Sequence, residues 1–439
     1  MHRTNAPAPT IRLHSLGCRL NEAELEEWAE QFRRAGIQLA DDDQGADLVV
    51  INTCAVTQEA VRKSRKLLRR AQRDNPRARL IVSGCLAALE AEALAGESGV
   101  DLVVSNADKD RLVEIARATL TLPLMPESAT AGGAEALFAR GRQRAFVKVQ
   151  DGCRYNCTFC ITTRARGEER SRPIAQVVSV INRLTRQGVR EVALTGVHLG
   201  GYGHDQGSDL GELIAAVLAD TGIERLRLGS LEPWDLPEGF WGLFADSRLM
   251  PHLHLPVQSG SDRVLRRMAR RCKREAFIEL VAAGRAARPE LNVTTDVIVG
   301  FPGEDEEDWR ETLSLVETVG FGHIHAFAYS PRAGTLAATL PGRVDTATKR
   351  ARSQALQQLA AASRAQLLHE QRGARLEVLC EQPPDPARAL PGQGYTPNYL
   401  PVRFTALPDP IDTNTLVEVE ITGVDDDGEH LLGRAIRAR

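Results

Sequence analysis

Short β-branched apolar runs alternate with longer amphipathic stretches along the first part of the chain. "TIRLHSLG" (10–17) has the pattern of a strand, and "NEAELEEWAEQFRRAG" (21–36) that of a helix closed by Gly36. "ADLVVINTC" (46–54) reads as a second strand, followed by a helix through the basic stretch 61–79. "ARLIVSGC" (78–85) and "GVDLVVSN" (99–106) read as the third and fourth strands. Strands separated by helices predict a doubly wound parallel sheet. Residues 123–140, rich in Pro, Ala and Gly, are expected to be a linker.

From "RAFVKVQDGC" (144–153) the same alternation resumes. "EVALTGV" (191–197), "RLRLGSLE" (225–232), "HLHLPVQSG" (252–260), "NVTTDVIVGFPGE" (292–304) and "HIHAFAYSPRAGT" (323–335) complete six strand candidates. They predict a partial parallel β/α barrel, in which chemistry belongs at the carboxyl ends of strands. A helix over 344–373 leads into alternating, turn-rich segments from Arg375, expected to form a small antiparallel β-barrel. The expected class is therefore α/β. A doubly wound parallel-sheet domain (10–122) and the linker (123–140) precede a partial β/α barrel (141–371) and a small antiparallel β-barrel (372–439).

At 439 residues the chain is too long for one core. Its 43% hydrophobic and 26% charged residues are those of a water-soluble protein. No apolar run approaches the ~18 residues of a membrane span. "MHRTNAPAPTIRLHSLG" lacks the apolar core of a secretory signal or anchor, so the cytoplasm is expected. Eight cysteines are too few for a disulfide scaffold and point to ligands or buried thiols. The net charge of −3 gives no global attraction to nucleic acid, but residues 61–79 hold nine Lys/Arg against one acid. At helical spacing Arg62, Arg65, Lys66, Arg69 and Arg73 share a face, suited either to phosphate contact or to plain solvation. A second basic run, 263–274, holds seven Lys/Arg and no acid.

Cys18, Cys54 and Cys85 each end one of the first three strands. The carboxyl ends of an open parallel sheet face one crevice, so these thiols are expected to converge. Three thiolates suit iron–sulfur or zinc ligation; the alternative is three unrelated core cysteines. "DGCRYNCTFCI" (151–161) carries a tighter set, Cys153, Cys157 and Cys160. No second CxxC pair follows, and the run lacks the Cys-Pro ending of a ferredoxin. Three thiolates on a four-iron cubane leave one iron open to a cofactor, whereas a structural zinc site would need a fourth ligand. Tyr155 and Phe159 are placed to shield such a cluster from water. The glycine-rich "TGVHLGGYG" (195–203) suits close approach of a ligand to backbone amides, or a flexible loop. Glu232, Gln258 and Glu304 are polar residues at strand ends. His198, His252, His254, His323 and His325 fall on alternating positions and read as core or rim residues rather than metal ligands.

CxxxCxxC at the first strand end of a β/α barrel resembles the radical S-adenosylmethionine (SAM) superfamily. With the preceding three-cysteine domain and the terminal β-domain, the chain is similar to the methylthiotransferases throughout its length. "SLGCRLNEAE", "INTCAVTQEA", "SGCLA", "RARGEERSRP", "LTGVHLGGYG", "HLHLPVQSGSD" and "DVIVGFPGE" all resemble that family's motifs. The nearest branch acts on N6-threonylcarbamoyladenosine at position 37 of tRNA. "GVHLGGYG" (196–203) stands where the isopentenyladenosine branch has a Gln-Asn-Val run. "CITTRARG" (160–167) departs from the usual Ile-Pro pair but keeps Arg166-Gly167.

The resemblance implies two [4Fe–4S] clusters and SAM. Cys153, Cys157 and Cys160 would be the catalytic set, holding the cluster that binds SAM and generates a 5′-deoxyadenosyl radical. Cys18, Cys54 and Cys85 would hold the second cluster, which carries the sulfur that a second SAM methylates. Gly196, Gly200, Gly201, Glu232, Gln258, Gly300 and Gly303 would line the SAM site. Radical chemistry suits an adenine C2–H, which offers acid–base catalysis little purchase. The implied partners are the tRNA anticodon stem-loop, SAM and an electron donor of flavodoxin or ferredoxin type, with no membrane. The last domain resembles a TRAM domain, an RNA-binding barrel. Arg403, Arg434, Arg437 and Arg439 would meet the backbone, and few aromatics beyond Tyr395, Tyr399 and Phe404 are present for stacking. Two other substrates stay open, isopentenyladenosine tRNA and a ribosomal-protein aspartate. So does a non-catalytic iron–sulfur RNA-binding redox sensor, though a sensor has no need of a SAM site.

Overall fold

The computed structural model describes residues 9–40, 45–97, 99–120 and 144–439, and the expected linker at 123–140 lies outside the described residues. Strands β1 (Thr10–Ser15), β2 (Gln38–Leu39), β3 (Leu48–Thr53), β4 (Arg79–Gly84) and β5 (Leu102–Val103) form a parallel sheet in the order β2-β1-β3-β4-β5. The four expected strands are present. β2 was not expected, because two residues are too short to show an alternating pattern. Helices α1 (Arg19–Arg34), α2 (Gln58–Asp74), α3 (Cys85–Leu89), α4 (Ala91–Ala95) and α5 (Leu112–Leu120) cover both faces. Alternation along β3 explains how: Val50 packs with Trp28 and Phe32 of α1, while Val49 and Ile51 pack with Leu68 of α2 and Leu86 of α3. Residues 151–156 and 160–169 are compact with this sheet, although the chain between them is not.

The second compact unit includes residues 144–150, 157–159 and 170–439. β6 (Arg144–Lys148) is followed by the short β7 (Gln150–Asp151) and β8 (Arg170–Ser171), then β9 (Glu191–Thr195) and β10 (Arg225–Leu228). β11 (His252–His254), β12 (Asn292–Val299) and β13 (His323–Ala328) follow. β6, β9 and β10 form one parallel triplet and β11, β12 and β13 another. Single parallel bridges, Leu226 to Leu249 and Ser230 to His254, join the two. The six expected strands thus run side by side in chain order. Among the described residues no helix is long and apolar enough to cross a membrane.

β14 (Arg375–Gln382), β15 (Gly392–Tyr395), β16 (Pro401–Phe404), β17 (Leu416–Val424) and β18 (Leu431–Ala438) close into the expected small barrel around Val378, Val402, Phe404, Val417 and Leu431. One seam, β16 with β18, is parallel rather than antiparallel. β17 runs opposite to both, so closing the barrel between them brings together two strands of the same direction.

A buried charge cluster secures this barrel. Strand register puts Arg144, Glu191 and Arg225 in one row at the amino ends of β6, β9 and β10. The fully buried Glu191 carboxylate takes Arg227 at 2.8 Å, Arg144 at 3.2 Å and Arg225 at 3.7 Å. Over that row lies the loop after β15. Arg227 donates to the carbonyls of Thr396 and Pro397, at 2.9 and 2.8 Å. The Arg144 and Arg227 guanidinium groups stand 4.9 and 4.7 Å from the Tyr399 ring centre. Asn292, at the start of β12, donates to the Asn398 carbonyl at 2.8 Å. The small barrel therefore docks on the amino ends of the strands and leaves the carboxyl ends to the chemistry.

Burial alone would raise the Glu191 carboxyl, but Arg227, Arg144 and Arg225 outweigh it and hold it down to about 2. Its stabilising charge is thus fully present above the ordinary carboxylate range near 4.5 and is lost as pH falls toward 2. Glu191→Gln removes the one carboxylate paired with Arg227 and shared by Arg144 and Arg225, which keep Glu381 and Glu377; the expected loss is ~3–5 kcal/mol in chemical denaturation. The variant should also show a shallower decline of stability between pH 4.5 and 2 than the parent.

Candidate functional site

The order of the first sheet reverses direction between β1 and β3, which opens a crevice at their carboxyl ends. Cys18 follows β1, Cys54 follows β3 and Cys85 follows β4 as the first residue of α3. The three thiols do converge: Cys85 lies close enough to raise the pKa of both Cys18 and Cys54, and Cys18 that of Cys54. Gly17 makes the approach possible: its φ is +103°, and a Cβ there would lie 2.7 Å from the Cys54 sulfur. Gly84, at φ +95°, has the same constraint, with a Cβ falling 2.3 Å from the Thr53 carbonyl. Ser64 of α2 holds the Cys54 backbone, accepting from its N–H at 3.1 Å and donating to its carbonyl at 3.0 Å. Burial pushes the Cys54 thiol up to about 11, so it gives up its proton on binding a metal rather than beforehand. Three soft donors converging at one sheet edge, with the Cys54 backbone pinned, fit an iron–sulfur cluster.

Beside this trio lies a buried network that joins residues of three separate motifs, Asn21 and Glu24, Asp151, and Arg166, with Asn106 and Lys109 from outside them. Helix α6 (Thr162–Arg166) packs on the sheet through Ala165, whose carbonyl accepts from Asn106 at 2.6 Å. The Arg166 guanidinium donates to Glu24, Asp151 and Asn21 at 3.0, 3.0 and 2.6 Å. Lys109 reaches the same two carboxylates, Glu24 at 2.5 Å and Asp151 at 3.5 Å. Asn21 in turn donates to the carbonyls of Leu16 and Thr53, tying the ends of β1 and β3 together.

Of the second cysteine set, Cys153 and Cys160 lie in the first compact unit and Cys157 in the second. The Tyr155 N–H donates to the Cys153 sulfur and the Thr162 N–H to the Cys160 sulfur, each at 3.4 Å. Cys157 faces Arg270, whose Nη1 lies 4.0 Å from its sulfur. N–H and guanidinium donors aimed at sulfur suit thiolates bound to iron. Phe159 packs edge-on against Phe301, with ring centres 6.5 Å apart.

The other anticipated residues have defined places. Glu232 pairs with Arg270 at 2.6 Å, and Arg270 lies over Trp234 at 4.3 Å, so the carboxylate sits one residue from Cys157. Gln258 has φ +73°, a left-handed conformation costing a non-glycine residue about 1 kcal/mol. Its backbone bridges Asp296 and Ile298 of β12. Gly196 lies against Gln150 and Gly200 against Asp235. Gly201 is buried in a short helical turn, Leu199–Gly201. Lys349 and Arg267 crowd the positions that side chains at Gly300 and Gly303 would take. Glu304 holds Arg352 at 2.6 Å. The histidines pair within the fold: His198 with Asp235 at 2.7 Å, His254 with Asp296 at 3.3 Å, and His252 with Thr294 at 3.2 Å. His323 and His325 stand ring against ring at 4.5 Å.

The two basic runs differ. In 263–274, Arg263 pairs with Asp305 and Asp308, Arg267 donates to Pro302, Arg270 pairs with Glu232 and Arg274 donates to Ser314, so most of that charge is used internally. On α2 only Arg65 of the expected face is drawn inward, to Glu90 and Glu97, while Arg62, Lys66, Arg69 and Arg73 are exposed. Lys109 carries no sequence signal, being a single charge in an ordinary loop context, while Glu24 lies in a quoted motif and Arg270 in a basic run without either marking its partner.

Residues 10–105 match the model of the family described as uncharacterized protein family UPF0004, and residues 147–316 match the radical SAM superfamily. The threonylcarbamoyladenosine tRNA methylthiotransferase MtaB of Chlamydia pneumoniae is 35% identical over 433 residues, covering 97% of this chain and 98% of its own. The MtaB of Bacillus subtilis is also 35% identical, over 94% and 93% of the two chains. A tRNA-2-methylthio-N(6)-dimethylallyladenosine synthase from Anaeromyxobacter dehalogenans is 37% identical over 95% and 92%. Among solved structures, the radical SAM methyltransferase TsrM from Kitasatospora setae aligns with a TM-score of 0.57 at 15% identity, covering 75% of each chain, a likeness of fold. Superfamily membership implies a [4Fe–4S] cluster and SAM. Full-length identity to these transferases, on a fold with strand-end thiols, places the chain in the radical SAM methylthiotransferase family.

Proposed function

We propose that the enzyme installs a methylthio group at C2 of N6-threonylcarbamoyladenosine at position 37 of tRNA, with two [4Fe–4S] clusters and two equivalents of SAM. The observation that carries this reading is the convergence of Cys18, Cys54 and Cys85 on one crevice, in a chain that also bears Cys153, Cys157 and Cys160. When bound, the clusters and SAM supply the one-electron chemistry and the sulfur that no side chain carries. The residues' part is to hold and tune them. Each trio of thiolates leaves one iron of a cubane without a protein ligand. The N–H groups of Tyr155 and Thr162 and the Arg270 guanidinium withdraw charge from the second trio's sulfurs. Glu232, Gln258 and the glycines at 196, 200, 201, 300 and 303 form the proposed SAM surroundings, with the strained Gln258 backbone as the feature least explained by packing.

The threonylcarbamoyl branch is favoured by "GVHLGGYG" at 196–203 and by the names of the MtaB relatives. The dimethylallyl branch is the second reading, since a member of it is as similar in sequence. For tRNA, the exposed cations of α2 form a phosphate-binding row. Arg434, Arg437 and Arg439 each carry an acidic neighbour in surface pairs weak enough to exchange for phosphate, while Arg403 pairs with the largely buried Asp425. Tyr395 and Tyr399 stack on each other at 4.7 Å inside the docking site, and Phe404 is buried, so the proposed RNA contact is to backbone rather than bases. A tRNA substrate places the enzyme in the cytoplasm, served by a flavodoxin- or ferredoxin-type donor.

Deleting the gene should remove methylthio-threonylcarbamoyladenosine from digested tRNA and leave the unmethylthiolated nucleoside, as read by mass spectrometry. Loss of the methylthio-isopentenyl nucleoside in its place would sink the substrate assignment. Cys157→Ala should abolish 5′-deoxyadenosine formation with dithionite and SAM while about half of the reconstituted iron remains. Replacing Arg62, Lys66, Arg69 and Arg73 by Gln should weaken tRNA binding and flatten its salt dependence by about one unit of log–log slope for each phosphate no longer neutralised. An unchanged slope would assign that face to solvent.

A further inference from the structure

We infer that Arg166, with its counter-charge Glu24, is a positioning pair for the N-terminal thiol site and sets the reduction potential of the cluster held there. This rests on the reading of Cys18, Cys54 and Cys85 as cluster ligands. Arg166 lies six residues after Cys160 in sequence, yet its side chain is built into the other cysteine trio. Its Nη2 donates to Asn21 Oδ1 at 2.6 Å, and the Cys18 thiol approaches that same oxygen at 3.7 Å. The positive charge acts on both Cys18 and Cys54, while Glu24 opposes it at Cys18. Burial works against the guanidinium's own charge, but Glu24, Cys85, Asp151 and Cys18 together favour it.

The surrounding charges make the effect directional. Arg166, Lys109 and Glu24 side chains are each 1% exposed and Asp151 is 6% exposed. The two cations and two carboxylates of this network sum to zero. Removing one member shifts that sum by one unit of charge in a medium of low dielectric. Reduction adds an electron, so a net negative pocket makes it harder and a net positive one easier. A network serving only to hold α6 in place has no such sign. Replacing either member would then loosen the fold in the same sense, because each leaves a buried charge unpaired.

The test uses full-chain protein carrying Cys157→Ala, reconstituted with iron and sulfide, so that the remaining reducible cluster is the N-terminal one. Retained iron in this parent decides the cluster reading first; a parent without iron would overturn that reading and this proposal with it. Reductive titration with dithionite, followed by electron paramagnetic resonance, then gives the midpoint potential. Arg166→Gln is expected to lower it, Glu24→Gln to raise it, and the double variant to return it close to the parent. Arg166→Lys, which keeps the charge, should also stay close to the parent. If Arg166→Gln loses iron, recovery of iron in Arg166→Lys and in the double variant supports the charge role. Iron loss that neither restores, a shift of both single variants in one direction, or no shift in either with iron retained would each overturn the proposal.

Discussion

Four buried charges, Glu24 and three others, determine much of how the N-terminal half is assembled. Glu24 projects from α1, Lys109 from the turn before α5, Asp151 from the start of the second cysteine loop and Arg166 from its end. None of the four tolerates the loss of its partners, because each is withdrawn from water. Satisfying them requires the segment around α6 to pack on the first sheet, and Asn106 and Asn21 add hydrogen bonds at either side. That requirement explains why 151–156 and 160–169 are compact with residues more than forty positions earlier instead of with the strands that follow.

The second unit solves a related problem at the opposite end of its strands. Register aligns Arg144, Glu191 and Arg225 in a row at the amino ends, and Arg227 joins them two residues further along β10. Three guanidinium groups on one carboxylate would be unstable alone. The small barrel's Glu381 and Glu377 carboxylates pair with Arg144 and Arg225, and the loop carbonyls of Thr396 and Pro397 and the faces of Tyr395 and Tyr399 take up the remaining donors. Both tyrosines are thereby committed to docking the small barrel. The carboxyl ends, where Glu232, Gln258 and the glycine-rich turn lie, are left for ligands, as the β/α architecture favours.

Strand–helix alternation was legible because a parallel sheet covered on both faces leaves near-continuous apolar runs, such as Leu48–Thr53. The convergence of Cys18, Cys54 and Cys85 was legible for the same reason: direction is shared by all parallel strands, so strand ends share an edge. Less could be read where the partner was distant in sequence. Arg270 looked like one more cation in a basic run, yet it is buried against Glu232, Trp234 and Cys157. The two-residue β2 and the parallel β16–β18 seam arise from edge pairing and closure, which no local pattern encodes.

By itself the sequence determined the element types, the placement of polar residues and thiols at strand ends, and the two cysteine trios. These follow from periodicity and spacing, which are local properties of the chain. Only the tertiary structure decided which charges neutralise one another: Arg166 with Glu24, Arg270 with Glu232, and Arg144, Arg225 and Arg227 with Glu191. Pairing depends on burial and on distance through space, and a lone Arg in a sequence carries no record of either.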